Sequence, residues 1–94
     1  MKPYDWNSAK NLKLKAERSI GFEDILTAIE QGNVLDNFAH PNQDRYPKQR
    51  VLVVVVEDYA FLVPFTEDDT KIFLKTIYPS RKFTKVYLKE RREQ

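Results

Sequence analysis

The chain has 94 residues, 41% of them hydrophobic and 13% aromatic, which suits one small folded domain with a single modest core. It has no cysteine, so disulfides, thiolate metal sites and cysteine nucleophiles are excluded. Its formal net charge of +2 conceals a segregation that bears on partners.

Residues 1–18 carry five cations (Lys2, Lys10, Lys13, Lys15, Arg18) against Asp5 and Glu17, a local charge of +3. Residues 80–94 carry six (Arg81, Lys82, Lys85, Lys89, Arg91, Arg92) against Glu90 and Glu93, a local +4. The stretch between them has five cations against ten carboxylates and stands at −5. Basic ends that meet in the fold make a positive surface suited to phosphates; apart, they simply keep a small protein soluble. No run approaches the ~20 apolar residues of a transmembrane helix, and Met1 leads into a polar segment. A cytoplasmic protein is the expectation.

Tyr4 and Trp6 suggest a short edge strand or an anchoring arm. A first helix is predicted from Asn7, its N-cap, to about Ser19, with Ala9, Leu12, Ala16 and Ile20 as the apolar stripe and Lys13–Glu17 as an i,i+4 pair. A second follows on Phe22, Ile25, Leu26 and Ile29, with Gly21 as N-cap, Glu23 and Asp24 in the first turn and Gly32 at its close. Ile20 and Ile25 fall at the positions of a hydrophobic staple.

The pattern then turns to strands. Val34–Ala39 is the first, and the turn formers of residues 40–49 make a loop. The β-branched run "RVLVVVVE" predicts a central strand covered on both faces. Glu57 and Asp58 form a tight turn into "YAFLVPF", where Pro64 marks a strand end or an edge. After "TEDDT", "KIFLKTIY" is the last strand, stopped by Pro79, and Ser80 caps a final helix. That helix puts Phe83, Val86 and Tyr87 on one side and Arg81, Lys82, Lys85 and Lys89 elsewhere. The expected fold is α+β: two helices, three to four antiparallel strands in a meander, and a C-terminal helix, with the helices on one face of the sheet.

Few constellations point to chemistry. Glu67, Asp68 and Asp69 lack the alternating ligands and glycine of a calcium loop and read as turn residues, so no metal is assigned. No cofactor is implied. His40, the sole histidine, is a candidate for proton transfer or for loop hydrogen bonding. Tyrosines interleaved with cations are a base-stacking signal. Here Tyr59 and Tyr87 read as core members, while Tyr78 stands beside the basic junction. Arg81 and Lys82 occupy the first turn of a helix, where cations oppose the helix dipole but suit a bound phosphate.

With these residues in place, the chain resembles the BrnT family of toxins from bacterial type II toxin–antitoxin modules. The likeness begins at "YDWNSAK" (Trp6, Asn7, Lys10), continues at "IGFEDI" (Ile20, Phe22, Glu23, Asp24) and closes at "IYPSRKFT" (Arg81, Thr84). The family's Lys–His–Gly before the second helix is here Glu17, Arg18 and Ser19, and its Ser–Ala–Arg is Pro79, Ser80 and Arg81. The resemblance implies a RelE-like ribonuclease fold and metal-independent RNA cleavage by attack of a ribose 2′-OH. It makes Arg81 the phosphate stabiliser, with Lys13, Lys82, Lys85 and Arg18 binding RNA phosphates and His40 or Tyr78 transferring the proton. It further implies a DNA-binding, BrnA-like antitoxin as partner in a hetero-oligomer, and no membrane. The competing expectations are a non-catalytic module that grips nucleic acid or an acidic protein, and a subunit whose strands pair with another chain.

Overall fold

From Val51 to Val55 every side chain is buried in the computed structural model, which describes residues 2–88. Side chains alternate across a strand, so a run buried throughout needs cover on both faces of its sheet. That cover organises the fold.

The elements are β1 (Tyr4–Asp5), α1 (Ser8–Arg18), α2 (Phe22–Glu30), β2 (Val34–Ala39), β3 (Arg50–Val56), β4 (Tyr59–Glu67), β5 (Ile72–Leu74), β6 (Tyr78–Pro79) and α3 (Arg81–Phe83). A π-helical turn, Thr84–Leu88, extends α3. The described residues are therefore α+β, with a six-stranded sheet in the order β1-β5-β4-β3-β2 and β6 paired beside β4. The meander from β2 to β5 is antiparallel. The sheet as a whole is mixed because β1 joins its edge parallel to β5.

One face is covered by the first two helices. Leu14, Ile20, Phe22, Ile25 and Ala28 pack with Leu52, Val54, Val63, Phe65 and Leu74 in one buried cluster. Trp6 stacks on Phe22 at 5.6 Å, which anchors the arm before α1. The opposite face, carrying Val51, Val53 and Val55, receives the C-terminal segment. Phe83 stacks between Phe38 of β2 (6.0 Å) and Tyr87 (5.7 Å), and the Ala60 N–H donates to Thr84 Oγ1. Helices thus lie on both faces, not one as expected, since a strand buried throughout cannot be served from one side.

Of the apolar stripe predicted for α1, only Ile20, which lies beyond the helix end, is buried; the rest faces outward. Ala9 and Ala16 are exposed and Leu12 is 68% exposed, while the buried residues are Asn11 and Leu14. The reason is polar. Asn11 Oδ1 accepts the Phe22 N–H at 2.8 Å, capping α2 from the neighbouring helix, and its Nδ2 donates to both Glu23 carboxylate oxygens at 3.0 Å. Lys15 joins the clamp on Glu23 at 2.9 Å. The predicted Lys13–Glu17 pair is not among the ion pairs of the described residues. A side chain at Gly21 would place its Cβ 2.5 Å from Lys15 and 2.9 Å from Asn11 Oδ1, so it would push on the clamp around Glu23.

α2 follows its sequence pattern, with Gly21 as N-cap, its N–H donating to Asp24 at 2.8 Å, and Gly32 at φ +78° beyond its end. Glu57 and Asp58, both at positive φ, make the two-residue turn from β3 to β4. Pro64 sits buried inside β4, opposite Val51, and the strand runs on to Glu67. The Pro64 carbonyl still accepts the Lys75 N–H at 2.8 Å, so proline removes only a donor from the ladder.

The last predicted strand is broken in two. Leu74 pairs with Phe65 and Tyr78 with Leu62, so one extra residue is accommodated on the β5–β6 side, a β-bulge. It turns both Thr76 and Ile77 inward. Ser80 then caps α3, its Oγ accepting the Phe83 N–H. The widened π-turn brings Tyr87 and Leu88 to the sheet and leaves Val86 47% exposed, contrary to the expected face. Lys89 lies outside the described residues.

On β2 the backbone of Asn37 is occupied by side chains. The Asn37 N–H donates to Asp36 Oδ1, and Arg50 donates to the Asn37 carbonyl and side chain. Backbone groups occupied in this way do not template another strand.

Candidate functional site

The bulge brings Arg18, from the basic N-terminal segment, to the stretch that leads into α3. It leaves the Ile77 carbonyl outside the β-ladder, and Arg18, last residue of α1, donates to that carbonyl through Nη1. The same guanidinium lies over the Tyr78 ring, 5.4 Å from its centroid. An arginine has five N–H donors, so one bond to Ile77 leaves others for a ligand. Tyr78 is 48% exposed, with its phenol at the surface.

Arg81 follows Tyr78 by three residues and opens α3. Arg81, Lys82 and Lys85 are exposed, and no carboxylate among the described residues pairs with them. Their solvated positions leave them free to meet an anion without first breaking a bond. The Ser80 N–H is bound to the Ala60 carbonyl at 2.9 Å, which ties the start of α3 to β4.

Two predicted site residues lie elsewhere. Lys13 is exposed on α1, five residues before Arg18 and so about 140° round the helix at ~100° per residue. His40 closes the far end of the sheet, its N–H donating to Gln49, while Ser80 meets Ala60 opposite Val55. The strand between Gln49 and Val55 is about 20 Å long at ~3.3 Å per residue. There His40 Nδ1 accepts the Asn42 N–H, and the ring lies 4.5 Å from Tyr46, over which Arg45 sits. Of the two proton-transfer candidates, Tyr78 alone is beside the cations.

Beside Arg18 an open cleft of about 250 Å³ separates the α1–α2 junction from the β3–β4 turn. Ile20, Val56, Tyr59 and Phe61 form its apolar part, while Arg18, Asp24 and Glu57 supply charge. The sequence reading assigned none of its acidic or aromatic residues to a site. One signal was available: a two-residue hairpin turn ordinarily selects Asn-Gly or Asp-Gly, and this one is Glu-Asp.

Two carboxylates elsewhere serve the local structure. Glu23 is held down from 4.5 to about 2 by Lys15 and then by the Asn11 amide. Asp68 is lowered by N–H groups of Thr70 and Lys71, which close the turn after β4. Among the described residues no three His, Asp or Glu side chains converge on a possible metal position, and no helix is long and apolar enough to cross a membrane. Comparison with protein-family models, curated proteins and solved structures finds no match to this chain.

Proposed function

We propose that the protein is a BrnT-like toxin of a bacterial type II toxin–antitoxin module, a small cytoplasmic endoribonuclease with a RelE-like fold. The observation that carries this reading is the meeting of Arg18 with Tyr78 at the bulge, immediately before Arg81 and Lys82. A second supports it. Ser19 stands at φ +56°, a conformation natural to glycine, and BrnT-type chains place glycine at the matching position.

In the proposed reaction a ribose 2′-OH attacks the adjacent phosphorus and the 5′-oxygen leaves. Arg81 binds the phosphate as negative charge builds on it, with Lys82 and Arg18 adding positive potential. Tyr78 is the group placed to hand a proton to, or take one from, the reacting oxygens. Lys85, one turn along from Arg81, holds the neighbouring backbone. The partner is a DNA-binding antitoxin whose acidic segment covers Arg81.

The test is induced expression in a bacterial host, following growth and total translation. Arg81→Ala should leave the melting temperature almost unchanged, because an exposed cation at a helix start contributes little. It should relieve toxicity, since a lost charge-assisted contact in the transition state costs about 2.7–4 kcal/mol, a hundredfold or more in rate. Arg81→Lys should recover only part, lacking the fork that bridges two phosphate oxygens. Undiminished growth arrest by Arg81→Ala at equal soluble level refutes the assignment.

A second reading, a basic module that grips RNA or an acidic protein without chemistry, is favoured by the distance of His40 from the cations. It predicts RNA binding with no cleavage products.

A further inference from the structure

Phosphate binding does not account for the cleft beside Arg18. Two carboxylates, Asp24 and Glu57, stand with Arg18 around it, and they would repel a second phosphate. Its apolar part includes two aromatic rings, Tyr59 and Phe61, set edge-to-face at 5.7 Å. A flat group with apolar faces and a polar edge fits such a lining, and a nucleobase has that form. The volume, about 250 Å³, lies just under the ~300–1,000 Å³ of pockets for drug-sized ligands and suits one base.

The charges select among the bases. Guanine alone offers two adjacent donors, N1–H and N2–H, on one edge and two adjacent acceptors, O6 and N7, on the other. A carboxylate suits the first pair and an arginine the second. Asp24 Oδ2 already accepts the Gly21 N–H, whereas Glu57 has no hydrogen-bond or ion-pair partner among the described residues. Glu57 also holds φ +51°, which a glutamate rarely adopts, so turn preference does not explain its presence.

We propose that this cleft binds a guanine base of single-stranded RNA, with Glu57 accepting from N1–H and N2–H and Arg18 donating to O6 and N7. This rests on the RNA reading above and deepens it, naming the base held next to the phosphate at Arg81. Tyr59 supplies the stacking face.

Four fluorescein-labelled 2′-O-methyl RNA hexamers, which resist cleavage by 2′-OH attack, test it. They are identical except for one central G, A, C or U, and each is titrated into the full chain by fluorescence anisotropy. The G hexamer should bind about tenfold or more tighter than the others, as one bidentate base contact provides. Glu57→Gln, with an unchanged melting temperature, should cut the G preference to the part that Arg18 supplies, because one amide oxygen cannot accept from N1–H and N2–H together. Tyr59→Leu should weaken all four alike, because stacking tolerates any base. Equal affinity of the parent chain for all four overturns the guanine cleft and leaves the RNA reading standing. A G preference fully retained in Glu57→Gln overturns it as well. Binding of no hexamer refutes the RNA reading and the cleft assignment together.

Discussion

Replacing Asn11 with alanine should be among the most damaging single changes outside the apolar core. The side chain is 6% exposed and its Oδ1 is the acceptor for the Phe22 N–H, a buried donor at the first turn of α2. Alanine leaves that N–H without a partner, at a cost of about 1–3 kcal/mol. The two bonds from Nδ2 to Glu23 are lost as well, but they lie nearer to solvent, so water replaces them and they add about 0.5–1 kcal/mol. A total of about 1.5–4 kcal/mol corresponds to a fall of about 6–32 °C in melting temperature for a domain of this size. Thermal melts followed by circular dichroism, together with urea titrations, measure it. Asn11→Asp retains an acceptor for Phe22 but sets a carboxylate against Glu23, so its deficit should shrink on acidification. A cost below about 0.5 kcal/mol for Asn11→Ala would mean that the Phe22 N–H finds water unaided, refuting the clamp.

The Thr76 hydroxyl is buried without a partner among the described residues, so Thr76→Val, of equal shape, should be neutral or stabilise by up to about 1 kcal/mol. Loss of more than about 1 kcal/mol in urea unfolding would show that the hydroxyl is bonded. Glu23 has a folded-state pKa of about 2 against 4.5, so its contribution is complete above 4.5 and fades as pH falls from 4.5 towards 2. Lys15 and Glu23 are about half exposed, which limits the effect to about 1 kcal/mol or less. Glu23→Gln should therefore destabilise at pH 7 and be silent near pH 2; an equal cost at both would rule out the charge as its source.

The parts of this protein set by neighbouring residues are legible in its sequence. Gly21, Asp24 and Gly32 bound α2, Glu57 and Asp58 turn β3 into β4, and Ser80 caps α3, because caps and turns act over three or four residues. The burial of Val51–Val55 follows equally from the run itself. Tertiary structure decided what distant segments do to one another. It turned α1 so that a polar residue, Asn11, faces inward, a choice that hydrophobic spacing cannot register. It carried the last helix to the opposite face of the sheet, paired β1 with β5, and split the final strand with a bulge that no local signal marks. That bulge exposes the Ile77 carbonyl to Arg18, and so brings Arg18 to Tyr78 across a separation of 60 residues while His40 stays at the far end of β3. Sequence supplied the cations and the tyrosine, and only long-range strand register, fixed by which apolar faces could be covered, set them side by side.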